Sequence, residues 1–384
     1  MTDLAASRPS TEQMIGRADV DDLAEILAVT NSDVDSVMHV VKNNADAIFT
    51  WDYQTDARPG LMRLYEKAKK SQWNATTDID WNVEVDPEQV AVETSIANAG
   101  IFSGAVDLSG TPLAKFSEAD WLRFGVESQN WTLSQFLHGE QGALICTAKI
   151  VETVPWIDAK YYGSTQVYDE ARHVEVFSKY LHDKLGGSYP VNAHLGLLLD
   201  DIVNDSRWDM TYLGMQIMVE GLALAAFGFI RQLTTEPLLK QILKYVMADE
   251  ARHVAFGILS LKDYYTELNQ AEIRERQEFA FEAAVRMRDR FLQQEVWERM
   301  GVPVADTLEL VMRSPERELF QQMLFTKIVP NCKKLGLLDA GDGWLRTKFG
   351  ELGVIQFEDW ADTESEYDDF SVVDDGIAAD AAEA

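Results

Sequence analysis

The sequence predicts an all-α protein built on a four-helix bundle that holds a dinuclear metal site, with further helices flanking the bundle at both ends. Three observations carry that prediction. The phrase Asp169-Glu170-Ala171-Arg172-His173-Val174 recurs eighty residues later as Asp249-Glu250-Ala251-Arg252-His253-Val254. On a helix, Glu at i and His at i+3 share a face, so a carboxylate oxygen and an imidazole nitrogen reach one metal ion. Thirty residues before each copy stands a lone Glu on an apolar stretch, Glu140 before Glu170 and Glu220 before Glu250. Dinuclear helix bundles need that composition: one Glu from each of two helices and a Glu-x-x-His pair from each of the other two. No convincing strand pattern competes. One Glu-x-x-His alone is a weak signal. Two copies with matched upstream Glu residues read as a duplicated helical hairpin.

The elements follow in order. Residues 1–20 are polar and expected to be disordered. Residues 21–335 are expected to form one helical domain, with the metal bundle at about 116–265, and 336–384 a C-terminal extension. Helical spacing of Leu23, Ile26, Leu27, Val34, Val37, Met38 and Val41 predicts helix over 21–50, and 61–70 reads as another. The segment 72–81 has turn chemistry and two tryptophans, Trp73 and Trp81, which pack a loop or form an electron path to the metals. Helix is expected from Phe116 to Val154, where Pro155 stops it, and from Ala159 to Leu185, where Gly186-Gly187 closes it. After a connector at 188–208, helices at 209–232 and 236–268 repeat the hairpin, with Pro237 in a first turn. A long charged helix is expected over 270–300 and another stretch over 305–335, restarting at Ser314-Pro315-Glu316. The acidic run that begins at Glu358 and Asp359 reads as a mobile solvating tail.

Bulk properties exclude several functions. The 384 residues are 46% hydrophobic, enough for a large core, and the net charge of −30 opposes binding to nucleic acid or an anionic membrane. Met210 to Ile230 is long enough to span a bilayer, but Gln216 and Glu220 at its centre and its small residues favour a helix buried among helices. With two cysteines, Cys146 and Cys332, no disulfide framework is implied, and a reducing cytoplasm is the expected compartment. The N-terminus shows no signal-peptide pattern. No zinc-finger spacing, phosphate loop, dinucleotide fingerprint or nucleophile elbow occurs, so no catalytic group is singled out beyond the metal ligands.

Asp169 and Asp249 each precede a ligand Glu, and a ligating His gives its second ring nitrogen to a carboxylate or carbonyl. A helix cannot fold its residue i−1 back to i+3, so each Asp is expected to bond the His of the other repeat, with Arg172 and Arg252 neutralising the pair.

The paired Asp-Glu-x-Arg-His motifs, each trailing a lone helical Glu, resemble the di-iron carboxylate proteins of the ferritin-like superfamily. Within it they resemble in particular ribonucleotide reductase small subunits and bacterial multicomponent monooxygenase hydroxylase chains, and acyl-carrier-protein desaturases and aldehyde-deformylating oxygenases are similar too. The resemblance covers about Phe116 to Tyr265 and implies six metal ligands: Glu140, Glu170, His173, Glu220, Glu250 and His253. The chain departs from those families at Phe177, where the reductase subunits carry a radical Tyr, at Leu224, where the hydroxylases carry Thr, and at Val246, where N-oxygenases add a His.

The resemblance implies two iron ions, or a Mn/Fe pair, with O2 as co-substrate. By helical register Phe136, Leu144, Phe177, Gln216, Leu224 and Phe227 are expected to line a pocket, an apolar wall suited to a small apolar or aromatic organic substrate. Hydroxylation, N-oxygenation, desaturation and oxidative cleavage all fit. Electrons would come from a separate reductase or ferredoxin, since no flavin or nicotinamide motif exists. A homodimer is expected. Two alternatives stand beside this reading: a radical-cofactor or redox subunit, and a ferroxidase or peroxide-scavenging metal protein.

Overall fold

In the computed structural model the described residues are 20–30, 37–54, 57–101 and 108–360, and every regular element among them is helical. In chain order these are α1 (Leu23–Leu27), α2 (Pro59–Ala68), α3 (Pro87–Ile101), α4 (Glu118–Thr153), α5 (Ile157–Tyr180), α6 (Ala193–Asn204) and α7 (Trp208–Leu233). There follow α8 (Pro237–Tyr265), α9 (Gln270–Arg290), α10 (Gln294–Met300), α11 (Val304–Met312), α12 (Pro315–Lys334) and α13 (Trp344–Glu351).

The bundle is α4, α5, α7 and α8. Helix α4 packs along α5, α7 along α8, and α5 meets α8, so the two hairpins close on each other. Local chemistry sets the ends. Ser117 opens α4 with a reciprocal cap: its hydroxyl accepts from the Asp120 backbone N–H at 3.2 Å, and Asp120 accepts from the Ser117 N–H at 2.8 Å. A π-helical turn at Leu181–Leu185 and left-handed Gly186 end α5. Glu236 caps α8, accepting from the Leu238 and Leu239 N–H groups at 2.7 and 2.6 Å, while the Tyr180 hydroxyl donates to it at 2.8 Å. That hydrogen bond ties the end of one Glu-x-x-His helix to the start of the other.

Helix α7 contains a π-helical segment, Leu213–Val219, immediately before Glu220. The wider turn leaves room that α8 fills closely: a Cβ at Gly257 would lie 2.7 Å from the Gln216 Cβ. In its most apolar window α7 is 72% buried, packed against α8 and α12, which is the core-helix arrangement its central Glu and Gln favour.

Outside the bundle the sequence expectations need correction in three places. Over 21–50 only Leu23–Leu27 is helical. Residues 37–54 run without regular structure along the outside, where the Ile48 N–H donates to the Glu152 carbonyl at 2.9 Å and the Thr50 hydroxyl to the Pro155 carbonyl at 2.7 Å. Val37, Met38, Val40, Phe49 and Trp51 are exposed there, so the apolar spacing had no surface to bury against. Val34 lies outside the described residues. The expected helix over 270–300 is two, because Gln293 adopts φ 55° and turns the chain between α9 and α10, its side chain accepting from the Ser128 hydroxyl at 2.8 Å. Lastly, the helical core does not stop at 335. Leu337, Leu345 and Phe349 join it, and the first two residues of the acidic run are fixed, Asp359 by Lys333 at 2.6 Å and Glu358 by Arg346. Residues 1–19 and the rest of the acidic run lie outside the described residues.

Candidate metal centre

Helices α4, α5, α7 and α8 each turn one Glu into the middle of the bundle, and α5 and α8 add a His one turn later. All six side chains are buried, Glu140 at 5% exposure being the most open. Ligand atoms of Glu140, Glu170, His173 and Glu250 lie within 4.8 Å of one another, as do those of Glu170, Glu220 and His253. Glu170 belongs to both groups, so the cluster fits two ions sharing a carboxylate. The imidazoles point the same way. His173 Nδ1 is 3.2 Å from Glu140 and 3.0 Å from Glu250, and His253 Nδ1 is 3.1 Å from Glu170.

Their other nitrogens face the opposite repeat. His173 Nε2 lies 3.1 Å from Asp249 and His253 Nε2 lies 3.4 Å from Asp169, the crossed pairing that helix geometry demands. Arg172 pairs with Asp169 and reaches Asp249 at 3.3 Å, and Arg252 pairs with Asp249. Trp73 enters this layer too. Its indole N–H donates to Asp249 at 2.8 Å, its ring stacks near His173 at 6.4 Å between centroids, and the Arg172 guanidinium sits 4.7 Å above it. Trp81 stands apart from the cluster, donating to the Ala75 carbonyl at 2.7 Å with Lys179 over its ring.

One buried partner was not anticipated. Gln166, four residues before Glu170, donates from Nε2 to Glu170 and to Glu220, each at 2.9 Å. Its repeat counterpart is Val246, so duplication gave no signal for it, although the i, i+4 spacing placed it on the ligand face.

The electrostatics test whether this set fits metals. Four buried glutamates carry more negative charge than two histidines offset, and the protons redistribute accordingly. Burial and the neighbouring Glu250 push the Glu140 carboxyl up to about 8. Burial and Glu170 hold Glu220 well above the ordinary range. Against the opposing effect of burial, the surrounding carboxylates raise both histidines, Glu140 foremost for His173 and Glu170 for His253. Oxygens of Glu170, Glu220 and Glu250 and Nδ1 of His253 are buried with no hydrogen-bond partner. Such a cluster is costly without cations, and hard O/N donors suit iron and manganese. The residues fit the group.

A small cavity borders the cluster, lined by Gln135, Phe136, Gly139, Glu140, Ala143, Val219, Glu220, Ala223, Glu250 and Arg290. Of the six pocket residues named above, Phe136 lines it. Phe177, tilted, and Phe227, edge-on, pack against Phe136 as core, at 6.3 and 4.7 Å between centroids. Gln216 faces Gly257 in the π-helical segment, and Leu144 and Leu224 lie off the lining. Helical register alone could not separate packing against neighbouring rings from facing open space.

Fold and site together define an all-α protein with a buried carboxylate and histidine centre for two metals. Among solved structures the chain is similar to R2-like ligand-binding oxidases. One, with aerobically reconstituted metal cofactor after photoconversion, is 17% identical over 75% of this chain and 99% of that chain, with a TM-score of 0.47. A glycine-to-leucine variant with anaerobically reconstituted Mn/Fe cofactor is 17% identical over 75% and 98%, with a TM-score of 0.49. At such identities the likeness concerns the fold. No protein-family model matches the chain, and the search of curated proteins finds no match.

Proposed function

We propose that the chain is an O2-dependent oxidoreductase with two iron ions, or a Mn/Fe pair, held by Glu140, Glu170, His173, Glu220, Glu250 and His253. It oxidises a small organic substrate by hydroxylation, N-oxygenation, desaturation or oxidative cleavage. The observation that carries this reading is the buried double cluster sharing Glu170. Such a metal pair, when bound, supplies electrons to O2 and so generates the oxidant. The chain's own residues do the rest. Asp169 and Asp249 accept from the histidine Nε2 atoms and keep Nδ1 free for the metal side. The Gln166 amide orients Glu170 and Glu220. Phe136, Ala143 and Ala223 supply the apolar part of the adjoining cavity's lining. The contact sequence Trp73, Asp249, His173 gives an external reductase or ferredoxin a route for electrons from outside the bundle. A homodimer in the cytoplasm is the working assembly.

The test is metal analysis together with the optical spectrum after adding ferrous iron and then O2, on wild type and on Glu220→Ala. Two metals per chain and an O2-dependent absorption in wild type, both reduced in the variant, are expected. Metal retained unchanged in a folded Glu220→Ala protein would sink the ligand set.

A further inference from the structure

The cavity beside the metal centre contains one group that the metal reading leaves unused. Arg290, the last residue of α9, is 3% exposed and lines the cavity with Phe136, Ala143, Val219 and Ala223. Among the described residues no carboxylate pairs with it, its Nε is buried without a hydrogen-bond partner, and the Phe291 ring lies 4.6 Å from its Cζ. The other arginines buried to this degree are answered: Arg172 and Arg252 by Asp169 and Asp249, Arg276 by Asp209, Arg286 by Glu282 and Arg288 by Asp289. Burial alone lowers the Arg290 pKa to about 9. A guanidinium taken out of water with no carboxylate paired to it is costly, and an anion that reaches it offsets that cost.

We propose that Arg290 anchors the carboxylate of an organic acid, whose apolar body lies against Phe136, Ala143 and Ala223 beside the metal centre. This rests on the oxidoreductase reading above and narrows its substrate to an apolar monoacid. A carboxylate is the favoured anion because its two oxygens match the planar fork of guanidinium donors, while the lining offers no second cation and, apart from Gln135 and the three glutamates of the metal centre, is apolar. Glu140, Glu220 and Glu250 open on the same cavity, so a ligand held there lies against the metal centre. The cavity as it stands takes about one water molecule, so the ligand must part its lining to enter.

The experiment measures binding of sodium benzoate, and of neutral benzamide as its near-isostere, by calorimetry on the anaerobic Mn(II)-loaded protein. Wild type, Arg290→Gln and Arg290→Lys are compared, with metal content measured alongside. Saturable benzoate binding is expected, with benzamide at least about tenfold weaker and Arg290→Gln at least about tenfold weaker for benzoate, at unchanged metal content. Arg290→Lys should fall between. Ligand-free Arg290→Gln should melt no lower than wild type, because it relieves an unpaired buried charge; a structural arginine would cost stability. Benzoate binding that is absent from the metal-loaded wild type, or equal in Arg290→Gln, overturns the proposal and leaves the metal reading standing. Chloride or inorganic phosphate competing as well as benzoate overturns the assignment to an organic acid. Failure to load metal at all removes both readings together.

Discussion

His173 and His253 each turn Nδ1 toward the glutamates and Nε2 toward an aspartate of the other repeat, so in the metal-free protein protons occupy the places that cations would take. Glu140, Glu220, His173 and His253 all hold protons more tightly folded than unfolded. A raised folded pKa contributes stability below the unfolded value and loses it as pH rises through the folded one. Glu170 and Asp249 are lowered by the neighbouring histidines and arginines, so their contribution is lost only on acidification below the ordinary carboxylate range. Chelator-treated protein should therefore lose stability as pH rises from about 5.5 to 8, by about 1.4 kcal/mol per pH unit for each proton released. Metal-loaded protein should show a much flatter profile in the same calorimetric series. A metal-free melting temperature that climbs over that range would contradict the proton placement. The residues of this network were legible because duplication wrote them twice. Gln166 and Arg290 were not: the first has Val246 at its repeat position, and the second ends a charged helix whose burial shows only once α9 is seen packed on α7.

At the scale of elements, the bundle helices were readable because each buries one stripe and is stopped by Pro, Gly or a capping side chain. What failed were segments whose pattern was right and whose partner was missing, such as 37–50, or whose break depended on a tertiary contact, such as Gln293 against Ser128. The π-helical turn before Glu220 left no mark, since Leu213–Val219 is apolar apart from Gln216 and Gly214 and has no periodicity to disturb. Its fit to Gly257 makes that position sensitive. Gly257→Ala adds a methyl 2.7 Å from Gln216 Cβ, an atom fixed to the backbone that cannot swing away. A loss of about 1–3 kcal/mol in urea unfolding is expected, with metal content lowered because the turn carries Glu220. Unchanged stability would mean that the two helices slide apart freely.

For the whole molecule, a charge of −30 on 384 residues is a standing repulsion that the fold tolerates. Local pairs such as Arg207 with Asp205 and Lys333 with Asp359 absorb part of it at the surface. Raising sodium chloride from about 0.05 to 0.5 M screens the remainder, so the melting temperature should rise by several degrees; a fall would show that the surface pairs outweigh the general repulsion. The arrangement at the centre has a further consequence. Because His173 and His253 each lean on an aspartate from the other hairpin, neither hairpin could make half of this site alone, yet two identical hairpins meeting face to face would make all of it with strict twofold equality. Joining both copies in one chain releases them from that equality. Gln166 against Glu170 and Glu220, with Val246 at the matching position of the second repeat, is what the freedom allows: two halves made unequal by one amide.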